Sequence, residues 1–385
     1  MYRSTYIEIN NKTLLENVKE IKKEYNNYKY YIGVVKANAY GHGYEIIKDL
    51  VKGGINYFAT SSLEESLEVR KRDKSVGVLC LEPINIKYLD VVLSSNITLT
   101  IDSIDSAKSL VDANPKEKVN IHLKLDTGMN RLGFNTKEEL NEAISILKQN
   151  KNIYIEGIFT HLATSGISDI YYDKQINKFK ELTKDIDLSK IPIVHINRSI
   201  TLVHHEKLPF ETGVRLGIIM YGFSQSIKEP TGFRKLKRDI MLKVKNISPV
   251  KLTNNLSLKT AYTLYTEVIS IKQIKKGTTI GYGTKHIAKE DCKIAILAIG
   301  YADGMTSNLK YVSINNKKYP ILGDVCMDMT IIKIDDTVKL HDKVEIFGDK
   351  ISIREASRNA STNAYHLLTS ITSRVPRIYQ NNNNL

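Results

Sequence analysis

The chain has 385 residues, 42 % of them hydrophobic and 25 % charged, which suits a soluble globular protein long enough for two domains. No apolar run approaches the ~18 residues of a membrane span, Met1–Lys12 lacks the apolar core of a cleaved secretion signal, and Cys80, Cys292 and Cys326 have no metal-ligand spacing and suit a reducing cytoplasm. The net charge of +14 comes from lysines scattered among acidic residues, as in Glu16–Lys19 and Lys137–Glu139, so a solvated surface that attracts small anions is expected rather than a nucleic-acid face.

Eight strand-like runs precede residue 223: Tyr30–Val35, Tyr57–Thr60, Val76–Leu81, Thr98–Ile101, Val119–Leu125, Ile155–Thr160, Ile191–Ile196 and Val214–Met220. Segments of helical period lie between them, including Leu14–Tyr25, Leu63–Arg72, Lys137–Lys148 and Tyr172–Lys184. This alternation implies a parallel sheet with crossover helices, and eight units fit a closed (β/α)8 TIM barrel over residues 10–232. An open doubly wound sheet is the alternative, although no Gly-x-Gly-x-x-Gly follows the first strand. Around the basic stretch Thr231–Asp239 the texture changes. Short β-branched runs follow at Met241–Ile247, Tyr265–Ile271, Ile294–Ile299, Tyr311–Ile314, Thr330–Ile334 and Lys343–Ile346, with one helix near Ile353–Asn359. Residues 233–385 are expected to form a mainly β C-terminal domain, joined by residues 1–9 through the early strand Ser4–Ile9. The Asn381–Asn384 tail is of low complexity and is expected to be disordered.

In such a barrel, functional groups collect at the C-terminal ends of the strands. Lys36 closes the first strand, followed by Ala37-Asn38-Ala39-Tyr40-Gly41-His42-Gly43. A lysine there either escapes to solvent or, desolvated, becomes a nucleophile that condenses with an aldehyde. The fifth strand carries His122, Lys124 and Asp126 on one face by period two. The seventh and eighth end in His195, Arg198 and Ser199, and in Gly213–Ile218, where a hydroxyl and glycine-flanked amides form a plausible phosphate cradle.

The segment Val34-Val35-Lys36-Ala37-Asn38-Ala39-Tyr40-Gly41-His42-Gly43 resembles the pyridoxal-phosphate attachment site of the alanine racemase family. The similarity continues through His122–Phe134 (HLKLDTGMNRLGF), Thr160–Thr164 (THLAT) and Val214–Gly222 (VRLGIIMYG). In the second domain it runs through Ile280–Thr284 (IGYGT), Ile299–Gly304 (IGYADG), Cys326–Asp328 (CMD) and Arg374–Arg377 (RVPR). The resemblance implies a pyridoxal 5'-phosphate enzyme that racemises alanine to supply D-alanine for the cell wall. Lys36 would attach the cofactor and serve as one catalytic base. Tyr282, from the partner subunit of an obligate homodimer, would be the other. By composition Tyr262 competes with Tyr282 for that role, and the Ile-Gly-Tyr-Gly context favours Tyr282. The cofactor would also meet Tyr40, His161, Ser199, Arg215, Gly217 and Ile218, with Arg215 at the pyridine nitrogen. The substrate would meet Arg131, Tyr301, Met327 and Asp328. His161 and His195 would link the tyrosine base and Arg215, and Lys124 is expected to be carbamylated to orient Arg131.

Two departures stand out. Arg198-Ser199 replaces the family's usual Asn-Ser, and Ser373 stands where many members carry a tyrosine that narrows the substrate pocket. The smaller hydroxyl leaves room for serine beside alanine. A decarboxylase of basic amino acids and a non-catalytic cofactor carrier are the other readings. The first would lack the tyrosine base, and the second has no use for residues 240–380.

Overall fold

The computed structural model describes residues 3–245, 247, 249–284 and 286–380; the Asn381–Asn384 tail and Asn246, at the end of the Met241–Ile247 run, lie outside them. The chain divides into two compact units. One comprises Leu15–Ala37 and Ile47–Lys259, the other Met1–Leu14, Asn38–Ile46 and Thr260–Leu385.

The first unit is an eight-stranded parallel barrel. Its strands are Tyr30–Val34, Tyr57–Thr60, Gly77–Cys80, Leu99–Ile101, Val119–Lys124, Ile153–Phe159, Ile193–Arg198 and Gly213–Leu216. They pair in chain order, the last returns to the first through Gly33↔Leu216, and a parallel bridge Leu79↔Thr98 joins the third to the fourth. The early strands read as almost unbroken apolar runs because helices cover one face and packed side chains the other. The helices have local start signals. Ser62 caps Leu63–Arg72 by accepting from Glu65 N, with Glu64 and Glu65 in the first turn and Arg70, Lys71 and Arg72 in the last. Thr136 caps Lys137–Leu147 in the same way through Glu139 N.

The second unit is mainly β. Tyr6–Asn10 pairs antiparallel with Tyr262–Ile274 and parallel with Arg377–Gln380. Tyr262–Ile274 is long enough to pair with both Lys343–Phe347 and Cys292–Leu297, and a register shift between Val268 and Ser270 marks its bend. Its alternating burial puts Tyr262, Leu264 and Val268 in the core with Ile7 and Ile9. Helices Ile353–Asn359 and Ala364–Ser370 complete this unit.

The structure differs from expectation in several places, among them Ala364–Ser370, a helix beside the one expected near Ile353–Asn359. The Met241–Ile247 run is not a strand: Gly232–Val244 is a helix, because the apolar spacing Phe233, Leu236, Ile240, Val244 outweighs a short alternation at its end. The division also falls at Lys259/Thr260 rather than at 232/233, since that helix belongs to the barrel unit.

Candidate active site

The half-buried Lys36 stands two residues beyond the end of the first barrel strand at Val34. The next amide, Ala37 N–H, donates to Glu65 Oε1 at 2.7 Å. From Ala37 to Tyr40 every φ lies between 52° and 54°, so this helical turn is left-handed although none of the four is glycine. Such backbone costs ~1–2 kcal/mol per L-residue and persists only where its surroundings enforce it. Gly43 N–H donates to Asn38 O and His42 N–H to Ala39 O. The fully buried His42 ring bonds Ala39 O and Tyr40 O through Nδ1, each at 3.1 Å, and burial lowers its pKa to about 4. Tyr40 is buried, its ring 5.8 Å from that of Tyr365.

Across the fifth to eighth strands the register aligns the next groups. Lys124 pairs with Phe159 and Phe159 with His195, while Arg198 pairs with Arg215. Asp126 shapes the loop after strand five, its two oxygens accepting from Gly128 N, Asn130 N and Arg131 N. Arg131 itself is exposed. Lys124 is buried with Nζ 4.6 Å from the Phe159 ring centroid. Burial, then Arg215 and Arg131, push its amine down to about 7 against the opposing pull of Asp126. His161 is lowered to about 2 by burial and by Arg215, Arg198, Lys124 and Arg131, which fixes it as a neutral imidazole among cations.

Arg215 is buried. Its Nη1 donates to His195 Nδ1 at 2.8 Å and His195 O at 2.7 Å, and Nη2 to Thr160 O and Ile196 O at 2.7 and 2.8 Å. Four of the five guanidinium donors are thereby used, and among the described residues Nε–H has no acceptor. Burial lowers its pKa only to about 10, so it stays cationic. From His195 a relay crosses the barrel interior. His195 Nε2 meets His122 Nδ1 at 3.0 Å, and His122 Nε2 lies 3.4 Å from Glu156 Oε2, which also accepts from Tyr57 OH and Thr98 Oγ1. Donor-only Arg215 makes His195 Nδ1 the acceptor and so puts the His195 proton on Nε2, facing His122 Nδ1, whereas buried His122 Nε2 meets Glu156 only as a 3.4 Å contact without a hydrogen bond.

At the exits of the last two strands, buried Ser199 Oγ accepts from Gly217 N at 2.9 Å and Ile219 N at 3.5 Å, and Ile218 between them is buried. Arg198 turns back to Leu162 O and Thr164 O, bracing the loop after strand six.

Tyr282, Tyr301, Met327 and Asp328 belong to the β unit. Tyr282 is 70 % exposed on a tight turn in which Gly281 and Gly283 both take positive φ. Tyr262 is 1 % exposed, stacked edge-on against His42, with burial driving its hydroxyl pKa upward. Of the two tyrosines that composition leaves open, Tyr282 presents its phenol at a surface and Tyr262 does not. Tyr301 N and Ala302 N donate to Cys326 O and Met327 O, tying the two loops together. Asp328 is paired with Arg374 at 2.7 Å, and Arg3 bonds buried Asp303 through both nitrogens at 2.6 Å.

The alanine racemase N-terminal domain model matches residues 9–225, and the alanine racemase C-terminal domain model matches 261–379. The chain belongs to the alanine racemase family. It is 32 % identical to the alanine racemase of Anoxybacillus flavithermus, covering 100 % of this chain and 97 % of that one. With alanine racemase 1 of Bacillus subtilis the identity is 31 %, over 100 % and 95 %. The crystal structure of alanine racemase from Bacillus anthracis with bound L-Ala-P superposes with a TM-score of 0.84 at 29 % identity, over 99 % and 96 % of the two chains. A histidine racemase from Leuconostoc mesenteroides superposes equally well, but at 24 % identity that likeness speaks only to the fold. The family's activity is the racemisation of alanine, an isomerisation dependent on pyridoxal 5'-phosphate. The residues fit that cofactor: a fixed guanidinium with one unused donor suits a pyridine nitrogen that accepts, and the Ser199 hydroxyl beside the Gly217 and Ile219 amides suits a phosphate.

Lys124, Arg215 and Ser199 stand at strand ends, as expected from their order in the chain. Period two groups His122 with Lys124 and Asp126 on one face of strand five without giving it a role, and Glu156 was not expected. One signal existed: Glu156-Gly157 interrupts an otherwise apolar strand. The register shifts there, with Ile155 and Gly157 taking the successive partners Ile121 and His122, so Glu156 is a bulge residue. A Cβ at Gly157 would meet the His122 ring at 2.6 Å, so the glycine makes room for the imidazole.

Proposed function

We propose that the chain interconverts L- and D-alanine as a homodimer, with Lys36 of one subunit and Tyr282 of the partner subunit handling protons on opposite faces of the substrate α-carbon. The observation that carries the reading is the buried Arg215 guanidinium, fixed by four hydrogen bonds at the barrel end where Lys36, Lys124 and Ser199 also emerge. Bound pyridoxal phosphate supplies an electron-poor ring that acidifies the α-C–H bond. Lys36 Nζ takes or returns the proton on one side, and the Tyr282 hydroxyl oxygen does so on the other. Arg215 donates through Nε and keeps its own proton. Neutral His161 and His195 relay orientation without adding charge. Ser199 and the amides of Gly217 and Ile218 hold the phosphate. Arg131 binds the substrate carboxylate, oriented by a carbamate on Lys124.

Tyr301, Met327 and Asp328 of the partner subunit bound the substrate end, with Arg374 anchoring Asp328. The exposure of Tyr282, Tyr301, Met327 and Met329 on one unit supports a covering subunit there. The product, D-alanine, would serve peptidoglycan in the cytoplasm. A second substrate, serine, is supported by the exposed Ser373. One added hydroxyl is discriminated by only ~1–3 kcal/mol, so kcat/KM for L-serine should fall within about two orders of that for L-alanine.

The test is loss of optical rotation from L-alanine. Wild type should abolish it. Tyr282→Phe, still yellow with cofactor, should be slower by at least ~100-fold. A cofactor-loaded wild type that leaves the rotation unchanged would sink the assignment.

A further inference from the structure

The helix Gly232–Val244 lies between residues 225 and 261, an interval that neither family model covers. Four large apolar residues on it are exposed: Phe233 at 79 %, Leu236 at 56 %, Ile240 at 53 % and Val244 at 80 %. Their spacing of three, four and four places them on one stripe, at about 100° of rotation per residue. Leu242, the buried residue of the helix, falls on the opposite face, so the stripe points away from the barrel. Arg234, Lys235, Lys237, Arg238 and Lys243 stand against a single acid, Asp239. By the same rotation Lys237 flanks the stripe on one side and Lys243 on the other, and both are exposed.

We propose that this helix docks the enzyme on an anionic lipid bilayer surface, lying in the plane of the headgroups with Phe233, Leu236, Ile240 and Val244 in the acyl boundary. An outward apolar stripe with a strongly basic surround is the pattern of a helix that lies on a membrane rather than across it. Lysines on both flanks can extend their stems along the stripe and reach headgroups on either side. Among the described residues no helix is long and apolar enough to cross a membrane, and surface docking needs none. A second copy of the same helix is a poorer occupant, because it would bring two strongly cationic faces together.

The sequence contains no tryptophan, so Phe233→Trp installs a single reporter in the full-length, cofactor-loaded enzyme. Its emission should shift to the blue with vesicles of phosphatidylcholine mixed with phosphatidylglycerol, and stay unchanged with phosphatidylcholine alone. Wild type should float with the mixed vesicles. Either Phe233→Ser with Val244→Ser, or Lys237→Glu with Lys243→Glu, should lower the floated fraction about tenfold while alanine racemisation is unaltered. Three outcomes would overturn the proposal: no flotation of wild type, equal binding to both vesicle types, or a blue shift that follows protein concentration without vesicles. The last would assign the stripe to a second copy. Binding to polyglutamate but to neither vesicle would assign it to an acidic protein instead.

Discussion

Burial behind Phe159 and the nearby Arg215 and Arg131 hold the Lys124 amine at about 7, so near neutrality much of it is unprotonated. That is the form able to attack carbon dioxide: its nitrogen forms the new bond to carbon, a proton leaves to solvent, and a carboxylate replaces the cation. Lysine burial lowers the pKa from 10.5 in the unfolded chain. Between about 7 and 10.5 the unfolded state therefore binds a proton that the folded state refuses. Stability from this residue is lowest at and below pH 7 and rises with pH across that window, by at most ~1.4 kcal/mol per unit. Lys124→Met should flatten the rise in urea midpoint between pH 7 and 9. Wild type given ¹³C-bicarbonate should show a carbamate carbon resonance that Lys124→Met lacks. A wild-type midpoint that does not rise with pH, together with no such resonance, would refute both the neutral amine and its modification.

At the scale of elements, the left-handed turn after Lys36 matters most. Gly41, at φ 79°, ends the run of four left-handed residues, and a Cβ there would sit 2.0 Å from Leu368 O. Gly41→Ala should therefore lose at least about 2 kcal/mol in urea unfolding, through backbone strain and overlap together. The two glycines were visible in the sequence as turn signals, but four successive non-glycine residues at positive φ were not. Local propensity opposes them, and only tertiary contacts hold them. The barrel strands were legible because buried parallel strands leave unbroken apolar runs. The end of the helix Gly232–Val244 mimics a strand because Met241–Ile247 alone shows a short alternation, and only the longer spacing Phe233, Leu236, Ile240, Val244 carries the helical period. The relay through His122 and Glu156 was hidden for a related reason. A bulge re-aims the glutamate, and a period-two reading assigns it to the wrong face. Strand-end chemistry follows from sequence order, whereas contacts across the barrel depend on closure.

For the whole molecule, the decisive question is whether Lys36 and Tyr282 meet within one chain or between two. If each site combines Lys36 of one subunit with Tyr282 of its partner, Lys36→Ala and Tyr282→Phe are each inactive as homodimers for different reasons. In a mixed dimer one site carries both substitutions and the other carries neither. Random reassortment makes about half of all dimers mixed, and half of their sites are intact, so about a quarter of wild-type activity should return. The measurement is D-alanine formation after the two variants are unfolded together and refolded, against each refolded alone. If both groups came from one chain, every site in the mixture would still lack one of them, and no activity would return at any ratio. The quarter also depends on exchange. Variants mixed without unfolding should regain activity only as fast as subunits dissociate, so the time course measures the lifetime of the interface that completes the site.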